Sequence, residues 1–206
     1  IPGVGCKLAP DALSEKISHY FGHSPHQVVA AAVSFAQASE AGTIYRPAEI
    51  AALSKVAHAH GMKVHMDGAR FANALVRTNA SPADVTWRAG VDVLSFGATK
   101  GGAMAAEAVV FFKPELAKDY PYRSKRGGHM LSKMRLISSQ LEAYLADGWT
   151  MLNRVGCGGE LPEASFATKI EALNHVFVQD GEDVGRVGRV ADHAPEQRQR
   201  GQDSHH

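Results

Sequence analysis

Residues 28–112 alternate between short apolar segments and amphipathic ones, and few folds accommodate such an alternation. The run of small apolar residues at 28–35 is typical of a strand that is buried on both faces of a parallel sheet. The alternation continues with these predicted elements: helix 47–60, strand 62–66, helix 68–78, helix 81–90 and strand 91–96. This order predicts an α/β fold with a mostly parallel sheet and flanking helices.

A last strand of the alternation is predicted at 107–112, about ten residues after 91–96, whereas a parallel crossover needs roughly a dozen. We therefore expect it to run antiparallel or to lie elsewhere in the sheet. Two further helices are predicted, a short one at 11–20 and a long one at 130–146. A basic cluster at 122–129 precedes the long helix.

The chain is expected to change character after residue 148. Residues 1–148 are predicted to form one domain and residues 149–206 an atypical tail. Within the tail, the pattern predicts a weak helix at 165–174 and a strand at 175–178. The tail is expected to be disordered from about residue 179, because its polar composition without aromatic residues buries too little surface.

Charge and cysteine usage restrict the class of partner and the compartment. The formal net charge is +1, so the chain lacks the field that binding to nucleic acid or acidic membranes uses. No apolar run reaches the ~18 residues of a membrane span, and nothing resembles a signal peptide. Cys6 and Cys157 lie outside any CxxC motif, which indicates free thiols and a cytoplasmic location. Because the chain starts with Ile1, we expect it to be a fragment or a processed product.

Two predicted strands end in charged residues. Asp67 and Arg70 follow strand 62–66, and Lys100 follows strand 91–96 in a glycine-bounded turn. The carboxyl ends of neighbouring parallel strands meet at one edge, where open α/β sheets bind ligands. An amine in an apolar shell is a nucleophile toward carbonyls, and a carboxylate there can keep a pyridine nitrogen protonated. The alternatives are a helix N-cap role for Asp67 and a phosphate-binding or merely solvated Lys100.

A metal site is the competing interpretation. Imidazole and carboxylate groups suit zinc, and His58, His60 and His65 lie close to Asp67 in the sequence. His58 and His60 fall in the last turn of a predicted helix, however, where side chains two residues apart diverge. The helix dipole is the better explanation for these two histidines, and no metal site is predicted.

Four segments resemble a known enzyme family. Residues 37–45, 65–71, 95–102 and 122–130 are similar to the low-specificity L-threonine aldolases, in the beta-eliminating lyase branch of the fold-type I pyridoxal 5'-phosphate enzymes. The resemblance covers about residues 6–148 and implies a partial large domain of the aspartate-aminotransferase-like fold.

The resemblance also implies roles for individual residues. Lys100 would bind pyridoxal 5'-phosphate covalently and Asp67 would pair with its pyridine nitrogen. Arg70 would lie beside the ring and its phenolic oxygen or the substrate. Gln37 and Glu40 would lie near the cofactor without a defined role. The family's phosphate loop, its ring-stacking histidine and the small-domain arginine that binds the substrate carboxylate have no counterpart here, and neither Arg126 nor Lys133 is assigned as a substitute for an arginine that contacts phosphate in some relatives.

The implied activity is retro-aldol cleavage of L-threonine, allo-threonine and other β-hydroxy amino acids to glycine and an aldehyde. The implied partners are a small-molecule amino acid and further copies of the chain, in a homodimer or homotetramer. Two alternatives remain open. One is an inactive fragment or interaction module that lacks a complete site, and the other is β-elimination or transamination with the same Lys100 and Asp67.

Overall fold

The computed structural model describes residues 1, 3–20, 26, 28–154 and 176–177. Its helices are α1 (Pro10–Ser18), α2 (Pro47–Ala59), α3 (Phe71–Thr78), α4 (Tyr120–Arg126) and α5 (Arg135–Arg154). Its strands are β1 (Gly3–Val4), β2 (Lys7–Leu8), β3 (Ala32–Ala36), β4 (Lys63–Gly68), β5 (Val93–Gly97), β6 (Glu107–Phe111) and β7 (Val176–Phe177).

In the described part of the chain, β1 and β2 form a small antiparallel pair and the other strands form a five-stranded sheet. The order in this sheet is β3-β4-β5-β6-β7. β3, β4 and β5 are mutually parallel, whereas β6 runs antiparallel to β5 and β7 antiparallel to β6. The predicted α/β fold is confirmed. Of the two alternatives for residues 107–112, the antiparallel one is correct.

One face of the sheet is buried beneath the helices. Its buried side chains are Val33, Phe35, Val64, Met66, Leu94, Phe96, Ala108 and Val110. The helices cover them with Leu13, Ile17, Ile50, Leu53, Phe71, Leu75, Leu141 and Tyr144. Burial of one large apolar side chain stabilises the fold by roughly 1.5–3 kcal/mol, so this interface fixes the strands relative to the helices.

No described helix covers the opposite face of the sheet at β3 and β4, whereas at β6 this face carries the buried Phe111, whose ring packs against Tyr120 of α4 with centroids 5.1 Å apart. The side chains of this face in β3 and β4 are exposed or half-buried, among them Ser34, Lys63 and His65. The prediction that residues 28–35 form a strand buried on both faces is therefore wrong. Val28 and Val29 are 73% and 65% exposed, and β3 begins only at Ala32. A run of small apolar residues does not distinguish a covered edge strand from an uncovered one.

The best-defined helix of the sequence, predicted at 47–60, is confirmed as α2. At its start, the backbone N–H of Arg46 donates to the carboxylate of Glu49 at 2.7 Å, which satisfies a terminal donor and places an anion at the positive helix end. At its end, Gly61 adopts a left-handed conformation with φ of 70°. α1 and α3 also match predicted helices, although α3 starts at Phe71 because β4 continues through Gly68.

The predicted helix at 81–90 is wrong. The segment consists of turns and one short 3-10 helix, Trp87–Ala89. Ser81 and Thr86 bind the local backbone through their hydroxyls: Ser81 Oγ accepts from Asp84 N at 3.2 Å, and Thr86 Oγ1 donates to Pro82 O at 2.5 Å. Such side-chain contacts compete with helical hydrogen bonds. The predicted terminator is nevertheless correct, since Gly90 has φ of 93°.

The long helix α5 is shifted relative to its prediction at 130–146. It begins at Arg135, after Lys133 in a left-handed conformation with φ of 59°, and it continues past Gly148 to Arg154. A glycine in a helix interior costs only about 1 kcal/mol, so Gly148 alone does not end it. The helix therefore crosses residue 148, where the domain boundary is predicted.

The strand predicted at 175–178 is confirmed in part as β7, which pairs with β6. The predictions of a helix at 165–174, of disorder from about residue 179 and of a free thiol at Cys157 lie outside the described residues. Cys6 is exposed and forms no disulfide. None of the helices in the described part of the chain has the length and apolarity that a membrane crossing requires.

Candidate active site

Three parallel strands end side by side at the carboxyl edge of the sheet. In the strand register, Asp67 of β4 lies between Ala36 of β3 and Ser95 of β5. The backbone N–H of Gln37 donates to the backbone oxygen of Asp67 at 2.8 Å, which ties the loop that leaves β3 to the end of β4. The predicted charged residues therefore belong to the edge where open α/β sheets bind ligands.

Asp67 is an exposed carboxylate with a fixed position. Its Oδ1 accepts a hydrogen bond from the backbone N–H of Ala69 at 3.0 Å, within a local turn. The alternative in which Asp67 caps the following helix is wrong, because α3 begins at Phe71 with Arg70 as its N-cap residue. The hydrogen bonds within the described part of the chain leave Oδ2 of Asp67 without a donor, so it remains available to a ligand.

Lys100 lies in a 3-10 turn, Thr99–Gly101, directly after β5. Two contacts of Thr99 Oγ1 with Ala106 brace this turn: the hydroxyl accepts from Ala106 N at 3.1 Å and donates to Ala106 O at 3.4 Å. The amine of Lys100 is exposed. The expected apolar shell around this lysine is therefore absent from the described residues, and its amine is accessible from solvent.

Glycine is required beneath Lys100 because a buried ring fills the space. A Cβ added at Gly101 would lie 2.3 Å from the hydroxyl oxygen of Tyr144 in α5. Tyr144 is 5% exposed, packs against Phe96 with ring centroids 6.0 Å apart, and has no hydrogen-bond partner for its hydroxyl among the described residues. Burial raises the pKa of Tyr144 to about 12. The turn that carries Lys100 thus rests on a neutral, buried aromatic side chain.

Arg70 forms a two-pronged ion pair with Glu40. Nη1 and Nη2 of Arg70 donate to the two carboxylate oxygens of Glu40 at 2.9 and 3.1 Å. The hydrogen bond and the charge of Arg70 hold the pKa of Glu40 below its usual range, and the positive charge of Lys100 acts in the same direction. Glu40 is thus within electrostatic reach of both Arg70 and Lys100. Neither the residue patterns nor the family resemblance predicted this pairing.

The loop that carries Glu40 is closed by a buried side chain. The amide of Gln37 donates to Tyr45 O at 2.8 Å and accepts from Tyr45 N at 2.9 Å, as a backbone peptide would in a strand pair. Within the loop bounded by Gln37 and Tyr45, the hydroxyl oxygens of Ser39 and Thr43 lie 2.6 Å apart and form a second hydrogen bond across the loop. These contacts fix the turn at residues 40–42, which projects Glu40 toward the start of α3.

A cavity of about 450 Å³ lies between this loop, α3 and the lysine turn. Its lining includes the charged residues Glu40, Arg70, Arg77 and Lys100. Arg77 was not predicted as a site residue. Its spacing of seven from Arg70 places both on one side of a helix, and this spacing is the signal that could have found it. Asp67 does not line the cavity, although its charge reaches Glu40 at the rim.

The histidines of the competing metal interpretation lie in different places. His65 sits on the open face of the sheet between two hydroxyls, with Ser34 Oγ 2.8 Å from Nδ1 and Ser95 Oγ 2.9 Å from Nε2. Burial lowers the pKa of His65, against an opposing influence of Asp67. His60 Nδ1 contacts the backbone oxygen of Val56 at 2.9 Å. Within the described residues, no group of three histidine, cysteine or acidic side chains is arranged to hold a metal ion.

A second charged cluster, not predicted from the sequence, lies at the opposite edge of the sheet. Asp92 is fully buried just before β5, where it accepts from Val64 N at 2.8 Å, contacts His58 Nε2 at 2.9 Å and pairs with Lys113. Burial raises the pKa of Asp92, but Lys113, His58 and Val64 together lower it by more, so the net pKa is below its usual range. The partners of Asp92 belong to α2, to β4 and to the segment that follows β6, so the carboxylate connects these three parts of the chain.

Comparisons with known proteins agree with this architecture. The family model described as Beta-eliminating lyase matches residues 3–192, which extends well past residue 148, where the resemblance was expected to end. The low specificity L-threonine aldolase of Pseudomonas sp. (strain NCIMB 10558) is 43% identical over 145 residues. That of Pseudomonas aeruginosa is 47% identical over 115 residues. A solved structure of Leishmania major threonine aldolase matches with a TM-score of 0.65 and 26% sequence identity.

The matches cover most of this chain but less than half of each relative. They span 70% of this chain and 41% of the Pseudomonas sp. protein, and 56% of this chain and 33% of the Pseudomonas aeruginosa protein. The structural match spans 74% of this chain and 44% of the Leishmania chain. The similarity to a fold-type I enzyme that the sequence motifs indicated is confirmed.

Proposed function

Because this chain belongs to the beta-eliminating lyase family, we propose that it carries the lysine-bearing part of a pyridoxal 5'-phosphate site that cleaves L-threonine and related β-hydroxy amino acids. The products are glycine and an aldehyde. The observation that carries the proposal is that Asp67 at the end of β4 and Lys100 just after the neighbouring β5 lie at one edge of the sheet, beside a charged cavity. The aldolase relatives support the choice of reaction.

The donor set at this edge fits the cofactor. Lys100 offers an exposed primary amine, which condenses with aldehydes, and it would hold pyridoxal 5'-phosphate through that bond. Asp67 offers a carboxylate oxygen without a partner among the described residues, and it would pair with the protonated ring nitrogen. When bound, pyridoxal 5'-phosphate supplies an electron sink for the electron pair released as Cα–Cβ breaks.

The chain's own residues would perform three tasks. Asp67 would keep a proton on the ring nitrogen by hydrogen bonding and charge. The guanidinium of Arg70 would receive the substrate carboxylate, since its fork matches carboxylate geometry. The buried Tyr144, which packs against Gly101, would fix the position of the lysine turn relative to β5.

The test is addition of pyridoxal 5'-phosphate to the purified chain, followed by its absorbance. The parent chain and the matched surface variant Lys55→Ala are expected to gain the band of a lysine adduct, and Lys100→Ala is expected to lose it completely. Lys55 is an exposed lysine of α2 and serves as the control for a lost surface amine. A band that persists in Lys100→Ala would contradict the lysine assignment, and no band in the parent chain would contradict cofactor binding.

The reaction type is tested on the products. Incubation of the cofactor-loaded chain with L-threonine should yield acetaldehyde and glycine in equal amounts. The alternative, β-elimination with the same Lys100 and Asp67, is favoured by the activity that names the family and would instead release ammonia and a keto acid. If the cofactor-loaded chain releases neither set of products, the result would favour the inactive-fragment alternative.

A further inference from the structure

Arg70 already holds a carboxylate, and that carboxylate belongs to the chain. Both terminal nitrogens of the guanidinium donate to Glu40, one to each oxygen, at 2.9 and 3.1 Å. This parallel arrangement is the geometry in which arginine recognises a free carboxylate ligand. Glu40 therefore occupies, in this structure, the position that a carboxylate-bearing small molecule would need.

The two partners of this ion pair differ in how firmly they are held. The Arg70 side chain is 33% exposed, whereas that of Glu40 is 79% exposed. If the pair separates, the Glu40 side chain would move fully into water at little cost because it is already largely solvated, while Arg70 would stay at the cavity. Solvent screens a pair with one solvated partner, so the pair is weak and an incoming anion is able to replace Glu40.

Glu40 is nevertheless presented to Arg70 by a rigid turn. The Gln37 amide clamps both backbone groups of Tyr45, and Ser39 N donates to Thr43 O at 2.9 Å. The side chain is thus tethered within reach of Arg70 even when displaced, which gives it a high effective concentration as a competitor. Its low pKa, set by Arg70 and Lys100, keeps it ionised at neutral pH.

We propose that Glu40 is an internal competitor for the carboxylate site of Arg70. It occupies the guanidinium in the empty state and is displaced by a ligand that carries a carboxylate. Small monocarboxylates and amino acids satisfy this requirement, and ligands without an anion do not. In the proposed lyase, on which the identification of the ligand as an amino acid rests, Glu40 is therefore a residue that determines specificity for the α-carboxylate.

The test uses acetate, which carries the carboxylate and nothing else. The ¹⁵N-labelled full chain is titrated with sodium acetate at constant ionic strength, with chloride as the balancing anion. The NMR signal of Arg70 Nε–Hε is followed and is assigned by its loss in Arg70→Lys. Glu40→Gln is expected to bind acetate about two- to fivefold more tightly than the parent chain, because the competing charge is gone and the side-chain size is kept.

Asp84→Asn is the matched control. It removes one exposed carboxylate from an arginine pair, Asp84 with Arg88 at 3.1 Å, and so changes the net charge equally. Acetate affinity at Arg70 should be unchanged in this variant. The amide signals of residues 37–45 should be the same in parent and Glu40→Gln chains away from residue 40, which verifies an intact turn.

An acetate affinity that is unchanged or weaker in Glu40→Gln would overturn the proposal, because Glu40 would then be neutral or would position Arg70. The absence of an acetate response in both chains would also overturn it. The experiment needs no cofactor, so its outcome is separate from the Lys100 adduct test. If the parent chain forms no adduct but Glu40→Gln binds acetate more tightly, the lyase proposal alone is refuted. If the parent chain forms the adduct on Lys100 but Glu40→Gln does not bind acetate more tightly, the competitor proposal alone is refuted.

Discussion

The two ends of the parallel strands carry the same kinds of charged groups in opposite surroundings. At the amino end, Asp92 is fully buried and is bound by Lys113, His58 and a backbone N–H. At the carboxyl end, Asp67 and Lys100 are exposed. Among the salt bridges of the described residues, none joins the carboxylate of Asp67 to the amine of Lys100. Each edge thus combines a carboxylate with nearby cations. The edge at Asp92, where the carboxylate is buried and paired, is called the closed edge, and the edge at Asp67 and Lys100, where both groups are exposed, is called the open edge.

The difference shows how burial separates stabilising charges from available ones. A buried carboxylate needs every hydrogen bond it has, because an unpaired charge there is costly. Asp92 therefore acts as a structural link between α2, β4 and the segment that follows β6. An exposed carboxylate contributes little to folding, so Asp67 is free to serve a ligand. Residue type alone does not distinguish these two roles.

The largest expected effect comes from making the same substitution at both edges. Asp92→Asn should lower the free energy of unfolding by roughly 2–4 kcal/mol, because it removes the charge that pairs with Lys113 and His58 at a buried point. Asp67→Asn should change it by less than about 0.5 kcal/mol, because this carboxylate is exposed. Urea denaturation of both variants measures the two values. If the two variants lost the same free energy of unfolding, burial would not explain the different roles of Asp92 and Asp67.

An intermediate loss of stability is expected for substitutions at the contact between Gly101 of the lysine turn and the buried Tyr144. Gly101→Ala should lower the free energy of unfolding by about 1–3 kcal/mol, since its Cβ would meet the Tyr144 hydroxyl at 2.3 Å. Tyr144→Phe should be neutral or slightly stabilising, because it removes a buried hydroxyl without a partner. The double variant should recover part of the loss in a thermal unfolding series. Full additivity of the two changes would contradict direct contact.

The smallest expected effect is a dependence of stability on pH at the closed edge. The folded-state pKa of Asp92 is lowered by Lys113, His58 and Val64, which together outweigh burial. Its contribution is therefore fully present above the unfolded pKa, about 3.9, and is lost as the pH falls toward the folded pKa. The stability difference between the parent chain and Asp92→Asn should therefore stay constant from neutral pH down to about pH 5 and shrink as the pH falls further. A difference that grows on acidification would contradict this sign.

The sequence predicted most of the elements that obey a regular period. The helix that became α2, the strands that became β4, β5 and β6, and the glycine terminators at 61 and 90 follow from local rules that tertiary contacts do not override here. The shared edge of Asp67 and Lys100 follows from strand order alone. These features depend on neighbours in the chain or on the alternation of elements.

What the sequence did not predict depends on distant contacts. The bare face of β3 depends on whether a second layer covers it, and the turn at 81–90 depends on competition among side-chain hydroxyls. The Glu40–Arg70 pair joins residues thirty positions apart, and the Asp92 cluster joins four segments. The accessible amine of Lys100 likewise follows from the exposure of its turn, which local composition does not give.

We propose that Lys100 at the open edge is the residue that binds the cofactor. Its most direct test is reduction of the chain with borohydride in the presence of pyridoxal 5'-phosphate, followed by peptide mass mapping. We expect the pyridoxyl mass on Lys100, both in the parent chain and in Asp92→Asn under folding conditions, and we expect Lys113 at the closed edge to be unmodified. A pyridoxyl group found mainly on Lys113 or on another lysine, with Lys100 unmodified, would contradict it.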